Sequence, residues 1–431
     1  MRLLIGFSLL GILACSTTFL APAAAPDRTA LVEEFVRGYR QLNMPPLRLA
    51  YVENLENIPD AAAVARQRAF FARFATRLEQ GAQPQVPSTD ERTLSYEIEL
   101  NLRRLDLEER WLANRPNTVP TGGLGTFAAG REWYVYFLQK WVSLDAQPDT
   151  IFAFGLREIA RVQAEMRKVR KRSGLDSTTF VKALQKEAFF LPDAAAVQAY
   201  CEEYQRAVIP RLRPYFPAWD SIPPPTITAG TNSALAATPG YYRRNTFYFN
   251  IFGQAWDRRQ VGWLYLHEGM PGHHYQLSYT RRFAPASPLT ELFPYSVFGE
   301  GYAAYIEDLA LELGAYRDDY EVYSKWEWDL IRSIRVSLDV GLNYYGWSDA
   351  RALAFWQKYL RGKDDIAARE IARMRRWPAQ VVTYKYGADR IMRWRRTLPE
   401  LPLREFHRRL LAHGPLPLSI LEPHLLHPKS S

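Results

Sequence analysis

The stretch LYLHEGMPGHHYQ, residues 264–276, holds three of the seven histidines in this chain of 431 residues. Imidazole nitrogens are common ligands of zinc, and a carboxylate beside them can accept a proton from a metal-activated water. The pair His267-Glu268, followed by His273 and His274, therefore indicates a metal site with a general base next to it.

The spacing of these histidines differs from the usual H-E-x-x-H motif, in which two histidines four residues apart share one face of a helix. On a straight helix His273 and His274 would lie about 9 and 10.5 Å beyond His267. Zinc–nitrogen bonds are only about 2.0–2.1 Å long, so a regular helix delivers neither ring to the metal. Pro271 lacks an N–H and Gly272 accepts unusual dihedral angles, so we expect the helix to break there and His273 to return to the metal.

A third ligand is expected from residues 298–309, whose apolar side chains recur at helical spacing. Glu300 lies in the first turn of this segment, between Gly299 and Gly301, which leave room around its carboxylate. Glu307 falls on the same helical face and either orients a ligating imidazole or is solvated.

Helical periodicity also dominates the rest of the chain, which predicts a mainly α protein. An apolar content of 47% is enough for a large core, which we expect in a single domain, residues 26–431, as one body or two helical lobes around a cleft. The β-rich run at 246–252 is expected as a small β element near the metal-binding helix. It is either an edge strand against an extended substrate or a buried structural strand. Amphipathic helices are predicted at 27–42, 91–112, 152–172, 194–212, 316–340 and 349–360.

Residues 1–25 have the form of a secretory signal, because an apolar run too short to span a bilayer follows Arg2. Residues 12–16 resemble a bacterial lipobox, which makes Cys15 a lipidation site; cleavage after the alanine-rich residues 21–25 is the alternative. Cys201 is the only other cysteine, so we expect no intramolecular disulfide once Cys15 is lipidated or removed. These features predict export to the bacterial cell envelope, as a periplasmic or lipid-anchored protein.

The formal net charge of +9 does not by itself indicate a nucleic-acid-binding protein. Lysines and arginines are spread over many helices, and the arginine-rich pieces 373–376 and 393–396 are expected to be solvated faces beside packed tryptophans. An export signal also separates the protein from most nucleic acid. The expected partners are a peptide-like substrate and, through the lipid anchor alone, a membrane.

The motifs at 267–276, 299–305 and 311–314 together resemble those of the bacterial DUF885 family of zinc metallopeptidase-like proteins. The similarity continues at 335–348 and 378–387 and includes 241–250 upstream. Two positions depart from the family pattern, since Asn343 stands where a histidine is expected and Ala379 where a glycine is expected.

The resemblance implies a large helical metallopeptidase-like fold around a cleft and a gluzincin-like site, with His267, His273 and Glu300 on one zinc ion and Glu268 as the general base. Two neutral imidazoles and one carboxylate leave zinc with a net positive charge, which suits activation of water. His274 remains a reserve ligand or a hydrogen-bond donor to the oxyanion. Manganese or cobalt would also suit this set of ligands.

Three more side chains in the family-like blocks are expected to act on the substrate. Tyr384 and Lys385 are candidate donors to the oxyanion that forms when an amide is attacked. Arg335 either binds a substrate carboxylate or pairs with Asp339 one helical turn away.

The sequence as a whole predicts an exported zinc-dependent hydrolase that cleaves peptide or peptide-like amide bonds. One alternative, which Asn343 favours, is a catalytically silent lipoprotein that binds metal or peptide. Another is an amidase for a non-peptide amide, which would use the same site.

Overall fold

The computed structural model describes residues 28–80, 87–236, 238–252 and 255–427 of the chain. Helices predominate in this part, so the prediction of a mainly α fold is confirmed. None of the described helices is long and apolar enough to cross a membrane. The signal segment 1–25, with Cys15, lies outside the described residues and stays a prediction. In chain order the α-helices are α1 (Arg28–Gln41), α2 (Tyr51–Glu56), α3 (Ala61–Gln80), α4 (Thr89–Ala113), α5 (Gly130–Trp141), α6 (Pro148–Arg172), α7 (Ser177–Ala183), α8 (Ala194–Leu212), α9 (Val261–Glu268), α10 (His273–Phe283), α11 (Pro288–Leu292), α12 (Ser296–Glu312), α13 (Asp319–Asn343), α14 (Asp349–Tyr359), α15 (Asp364–Arg376), α16 (Val382–Thr397), α17 (Leu403–Leu411) and α18 (Leu418–Leu426).

Each predicted amphipathic window corresponds to one of these helices, namely α1, α4, α6, α8, α13 and α14. The largest shift is at the start of α6, which begins four residues earlier than predicted, and α13 begins three residues later than predicted. The carboxylate of Asp318 accepts hydrogen bonds from the backbone N–H groups of Tyr320 and Glu321, and so caps the helix at that point. The chain before Asp318 therefore turns instead of continuing the helix.

The central helix α13 is buried almost completely over its second half, from Asp329 to Asn343. It packs closely along α6, where a Cβ atom at Gly155 would lie only 2.3 Å from the Ser337 hydroxyl oxygen. A buried helix that carries charged residues must pair them, because an unpaired buried charge is strongly destabilising. The charged residues of α13 therefore mark where neighbouring helices supply partners.

Helices α12 and α16 also approach each other closely, at Gly301 and Gly387. A Cβ atom at Gly301 would lie 2.4 Å from the Cα atom of Gly387, so a larger residue would force the two helices apart. Glu300 precedes this contact on α12, and Tyr384 lies one turn before it on α16. The close crossing therefore brings these two candidate site residues near each other.

A small sheet is formed by β2 (Thr226–Ala229), β3 (Gly240–Arg243) and β4 (Thr246–Phe249), in the order β2-β4-β3. A separate antiparallel pair joins β1 (Phe190–Leu191) and β5 (Trp256–Asp257). The predicted β element at 246–252 is therefore present as β4, but the edge-strand interpretation is wrong. Strand β4 is central, parallel to β2 and antiparallel to β3, so its backbone is paired on both sides.

The sheet supports the helix that carries the metal-binding motif. Phe247 of β4 is fully buried, and its ring lies 6.1 Å from that of Tyr265 in α9, between ring centroids. The small β element thus lies near the metal-binding helix, where the sequence predicted it.

Candidate metal centre

The motif of residues 264–276 folds as two helices joined by a short turn. Helix α9 ends at Glu268 and α10 begins at His273, so the break predicted at Pro271-Gly272 is present. The N–H of Gly269 donates to the carbonyl of Tyr265 at 2.7 Å and closes the last turn of α9. The chain then reverses within residues 269–272.

Gly272 is the point at which the returning chain contacts the end of α9. A Cβ atom at this position would lie 2.0 Å from the carbonyl oxygen of His267 and 2.2 Å from that of Leu266. No side chain fits at such distances, so only glycine permits this packing. Because α10 starts at the next residue, the contact fixes where His273 begins.

The turn brings His273 back beside His267, and α12 supplies Glu300 to the same point. Ligand atoms of these three residues all lie within 4.8 Å of one another. The Nε2 atoms of His267 and His273 are 3.5 and 3.4 Å from Oε2 of Glu300. Two imidazole nitrogens and one carboxylate oxygen are the donors that zinc takes in hydrolases, so this set fits one zinc ion.

A carboxylate behind His267 fixes the orientation of its ring. Nδ1 of His267 lies 2.7 Å from Oε1 of Glu307, which leaves Nε2 directed at Glu300. Arg332 donates from Nη1 to both oxygens of Glu307, at 2.6 and 2.7 Å. Partners of this kind set the tautomer of a ligating histidine and raise its basicity. Of the two interpretations of Glu307, the structure therefore favours the orienting one.

The electrostatics of the three-residue group also favour a bound cation. Burial disfavours a charge on His267, yet its hydrogen bonds with Glu300 and Glu307 outweigh burial and raise its pKa to about 9. Burial works against the charge of Glu300 as well, but both imidazoles hold its pKa well below the usual range. The carboxylates of Glu300 and Glu307 thus stabilise a positive charge at the three-residue group, which a divalent ion can supply in place of a proton.

Replacement of Glu307 by glutamine is expected to weaken zinc binding about 10- to 100-fold without changing the number of ions bound. The amide would still accept from His267, but the charge that opposes Arg332 and strengthens the imidazole would be lost. Competition with a chelator measures the zinc dissociation constant. Glu312→Gln, at the exposed end of the same helix, is the control and should leave zinc affinity unchanged; equal effects of the two variants would contradict the role of Glu307.

Glu268 is the last residue of α9 and lies next to the ligand group. Its side chain is buried, and burial raises its pKa, while His267 and His273 act in the opposite direction. A carboxylate with a raised pKa accepts a proton more readily than an exposed one. The position and surroundings of Glu268 therefore suit a general base.

Tyr384 lies beside the same group. Its ring stacks on that of His267, with the centroids 6.2 Å apart and the planes at 21°. Burial raises the pKa of its phenol, so the hydroxyl stays protonated at neutral pH and can donate a hydrogen bond. Among the predicted oxyanion donors, Tyr384 is the one that the structure places at the metal centre.

His274 does not join this group, which corrects its prediction as a reserve ligand. Its Nε2 atom lies 2.7 Å from the carbonyl oxygen of Pro223, and its Nδ1 atom lies 3.3 Å from the hydroxyl of Tyr242. Successive residues of a helix point about 100° apart. When His273 faces Glu300, the ring of His274 is therefore turned to the loop before β2, and both of its nitrogens are engaged there.

Lys385 is turned away from the metal centre for the same reason. Its ammonium donates to Asp329 at 2.7 Å, lies 2.8 Å from Glu158, and is only 3% exposed as a residue. Because these carboxylates already neutralise and bury the ammonium, Lys385 is not available to a substrate. The prediction that it contacts substrate is wrong, and its role is to pair buried charges of α6, α13 and α16.

The partner predicted for Arg335 is also different. Nη1 of Arg335 donates to Glu370 of α15 at 3.2 Å. Asp339, one turn along α13, instead accepts from the hydroxyl of Tyr134 at 2.7 Å and from the N–H of Ala379 at 2.9 Å. The guanidinium group is 5.4 Å from the centroid of the Tyr384 ring. Arg335 therefore lies behind Tyr384 and is 2% exposed, which leaves substrate little access to it.

The two residues that depart from the family pattern, Asn343 and Ala379, both donate hydrogen bonds to Asp339. The fully buried amide of Asn343 donates to the backbone of Asp339 at 3.3 Å and of Met374 at 3.0 Å, and its oxygen accepts from Leu124 at 3.3 Å. Ala379 has a φ of 67°, in the left-handed region that favours glycine. Asn343 thus ties three chain segments together and takes no part in the ligand group.

Two arginines at the site were not singled out by sequence reasoning. The sequence signal that could have identified Arg332 is a charged residue flanked by the apolar residues Leu330, Ile331 and Ile334. Arg373 was assigned to a solvated face, but its side chain is only 23% exposed and donates to the side-chain oxygen of Gln380 at 2.9 Å. It also interacts electrostatically with Glu300 and Tyr384.

The family of bacterial proteins of unknown function, DUF885, matches residues 44–425 of the chain. No curated protein sequence matches the chain significantly. Among solved structures, a candidate lipoprotein from Colwellia psychrerythraea is 20% identical with a TM-score of 0.64, over 91% of this chain and 72% of that one. A candidate lipoprotein of unknown function from Shewanella oneidensis is 16% identical with a TM-score of 0.59, over 95% and 80%. An M32 carboxypeptidase from Deinococcus radiodurans R1 is 12% identical with a TM-score of 0.48, over 92% and 95%.

Proposed function

The chain belongs to the DUF885 family of bacterial proteins, and from its metal centre we propose that it is a zinc-dependent hydrolase that cleaves peptide or peptide-like amide bonds. The observation that carries the proposal is the group formed by His267, His273 and Glu300, beside the buried carboxylate of Glu268. Export to the cell envelope is part of the proposal. It is supported by residues 1–25 and by the two lipoprotein neighbours.

His267, His273 and Glu300 would hold the ion. Zinc in such a set supplies a water of low pKa and polarises the carbonyl of a bound amide. Glu268 accepts the proton of the attacking water and returns it to the nitrogen of the leaving amine. The bonds made and broken are then those of amide hydrolysis, with one water consumed and a carboxylic acid and an amine released.

The remaining residues hold this arrangement in place. Glu307, itself held by Arg332, keeps Nε2 of His267 directed at the ligand group. In the proposed mechanism the phenol of Tyr384 donates a hydrogen bond to the carbonyl oxygen as negative charge develops on it. Such fixed donors stabilise the transition state because they need not reorganise during the reaction.

Zinc content and peptide hydrolysis, measured on the same preparations, test the proposal. The wild-type protein should bind one zinc ion per chain and cleave a mixture of peptides, and a chelator should abolish cleavage until zinc is restored. His273→Ala should lose both zinc and activity, since it removes one of three ligands. His274→Ala changes the adjacent histidine and should keep the zinc.

The possible outcomes separate the alternatives. A wild-type protein without stoichiometric zinc would contradict the proposal, as would zinc loss in His274→Ala but not in His273→Ala. Tight zinc binding with no cleavage of any peptide would instead favour a metal-binding protein without peptidase activity.

A further inference from the structure

The partly exposed side chains around the metal centre define the side from which a substrate enters. The side chains of His273, Glu300 and Arg373 are 17%, 24% and 23% exposed. Arg332 and Arg335 lie behind them, with at most 4% of each side chain exposed. Arg373 is therefore the arginine at this site that a substrate can reach.

Positive charge on this side of the centre exceeds the negative charge that pairs with it. Arg335 and Arg373 share one carboxylate, that of Glu370, at 3.2 and 3.8 Å. Arg373 also donates a hydrogen bond to Gln380 at 2.9 Å and contacts the phenol of Tyr384 and the ring of Trp377, which are all neutral groups. The guanidinium groups of Arg335 and Arg373 thus share the carboxylate of Glu370. Arg373 lies farther from this carboxylate than Arg335 does, and its side chain is also more exposed.

The surplus charge adjoins residues that act on the amide in the proposed mechanism. Arg335 lies 5.4 Å from the ring centroid of Tyr384, and Arg373 interacts with the phenol of the same residue and with Glu300. Next to Glu300, no described heavy atom outside the chain neighbours of Gly299 and the backbone of its own helix lies within 4 Å of the position that a Cβ atom of Gly299 would take. The surface of α12 is therefore open at the residue before Glu300.

On these grounds, and resting on the proposed function, we propose that Arg373 binds a carboxylate of the substrate close to the amide that is cleaved. The guanidinium group is planar and can bind a carboxylate through two parallel hydrogen bonds, which selects this group over neutral ones. Arg373 is then a specificity-determining residue. Arg335 is a positioning residue, whose buried positive charge favours the substrate carboxylate without contacting it. The carboxylate comes either from the C-terminus of a peptide or from an acidic side chain.

Binding measured in the Glu268→Gln background tests this proposal without turnover. The probes are benzoylglycyl-phenylalanine as the free acid, the same compound as its C-terminal amide, and benzoylglycyl-aspartic acid as its α-amide. Calorimetry with zinc-loaded protein gives their dissociation constants. We expect at least one carboxylate probe to bind about 10- to 100-fold more tightly than the neutral amide. The free acid and the aspartate probe identify the source of the carboxylate.

Variants of two arginines on the same helix complete the experiment. Arg373→Gln should remove the preference for the carboxylate, Arg373→Lys should restore part of it, and the exposed Arg369→Gln should leave it intact. Equal binding of all probes, binding of none, or a preference that survives in a folded Arg373→Gln protein would overturn the proposal. Failure of the wild-type protein to cleave peptides would overturn the proposed hydrolase instead, because the binding experiment does not depend on turnover.

Discussion

The Glu268→Gln protein is expected to bind one zinc ion per chain, as the wild-type protein does, and to hydrolyse peptides about 10²- to 10⁴-fold more slowly. Glutamine has nearly the shape of glutamate but cannot accept a proton at neutral pH. Because Glu268 lies beside the ligand group without belonging to it, its charge is needed for proton transfer and not to hold the metal.

The decrease should appear in kcat, since a general base acts in the transition state and contributes little to substrate binding. The matched variant is Glu300→Gln, which removes a ligand carboxylate and should lose zinc as well as activity. Zinc content by mass spectrometry and initial rates on one peptide distinguish the two patterns. An unchanged rate in Glu268→Gln, or zinc loss of the same size in both variants, would mean that Glu268 is not the base.

Local features of the sequence were sufficient to predict that His267, His273 and Glu300 come together. Pro271 and Gly272 end helices through their own backbone chemistry, so the break between α9 and α10 depends on few long-range contacts. Compared with H-E-x-x-H, the motif has two more residues between His267 and His273. This number determines that His273, and not His274, returns beside His267. The helix that carries Glu300 follows from its own periodicity, although it begins two residues earlier than predicted, at Ser296.

The roles of neighbouring side chains could not be predicted in the same way. Tyr384 and Lys385 are adjacent in one family-like block, and the periodicity of α16 does not say which of them faces the centre. Which of the two side chains faces the centre depends on Glu158 and Asp329, which lie far away in sequence and pair with the buried ammonium of Lys385. Long-range charge pairing of this kind leaves no local pattern.

Local sequence could not predict the partners of Arg335, Arg373 and β4 either. Helical spacing allows Arg335 to pair with Asp339, but α15 offers Glu370 instead. Arg373 looks like a surface residue because charged residues usually are. The composition of residues 246–252 predicts strand β4, whereas its central position depends on pairing with 226–229 and 240–243, which leaves no pattern within β4 itself. In each case the element was predictable and its partner was not.

The Gly272→Ala protein is expected to be destabilised by about 1–3 kcal/mol and to lose most of its zinc affinity, although no ligand is altered. A methyl group at this position would overlap the carbonyl oxygens of Leu266 and His267, at 2.2 and 2.0 Å. Relief of the overlap requires the start of α10 to move away from α9. His273 is the first residue of α10, so it moves too, and a shift of about 1 Å in a site of this kind can cost about 10²-fold in rate.

Gly299→Ala is the matched control, because it places a methyl group next to Glu300, where no described heavy atom outside its chain neighbours and its own helix backbone lies within 4 Å. In α12 this change should leave zinc affinity unaltered and stabilise the protein by up to about 1 kcal/mol, as expected when alanine replaces glycine within a helix. Urea unfolding with and without zinc gives both quantities for each variant. If Gly272→Ala kept the unfolding free energy and zinc affinity of the wild-type protein, the close contact at Gly272 would not be what holds His273 at the metal. The histidine would then have to be positioned by its contacts within α10 alone.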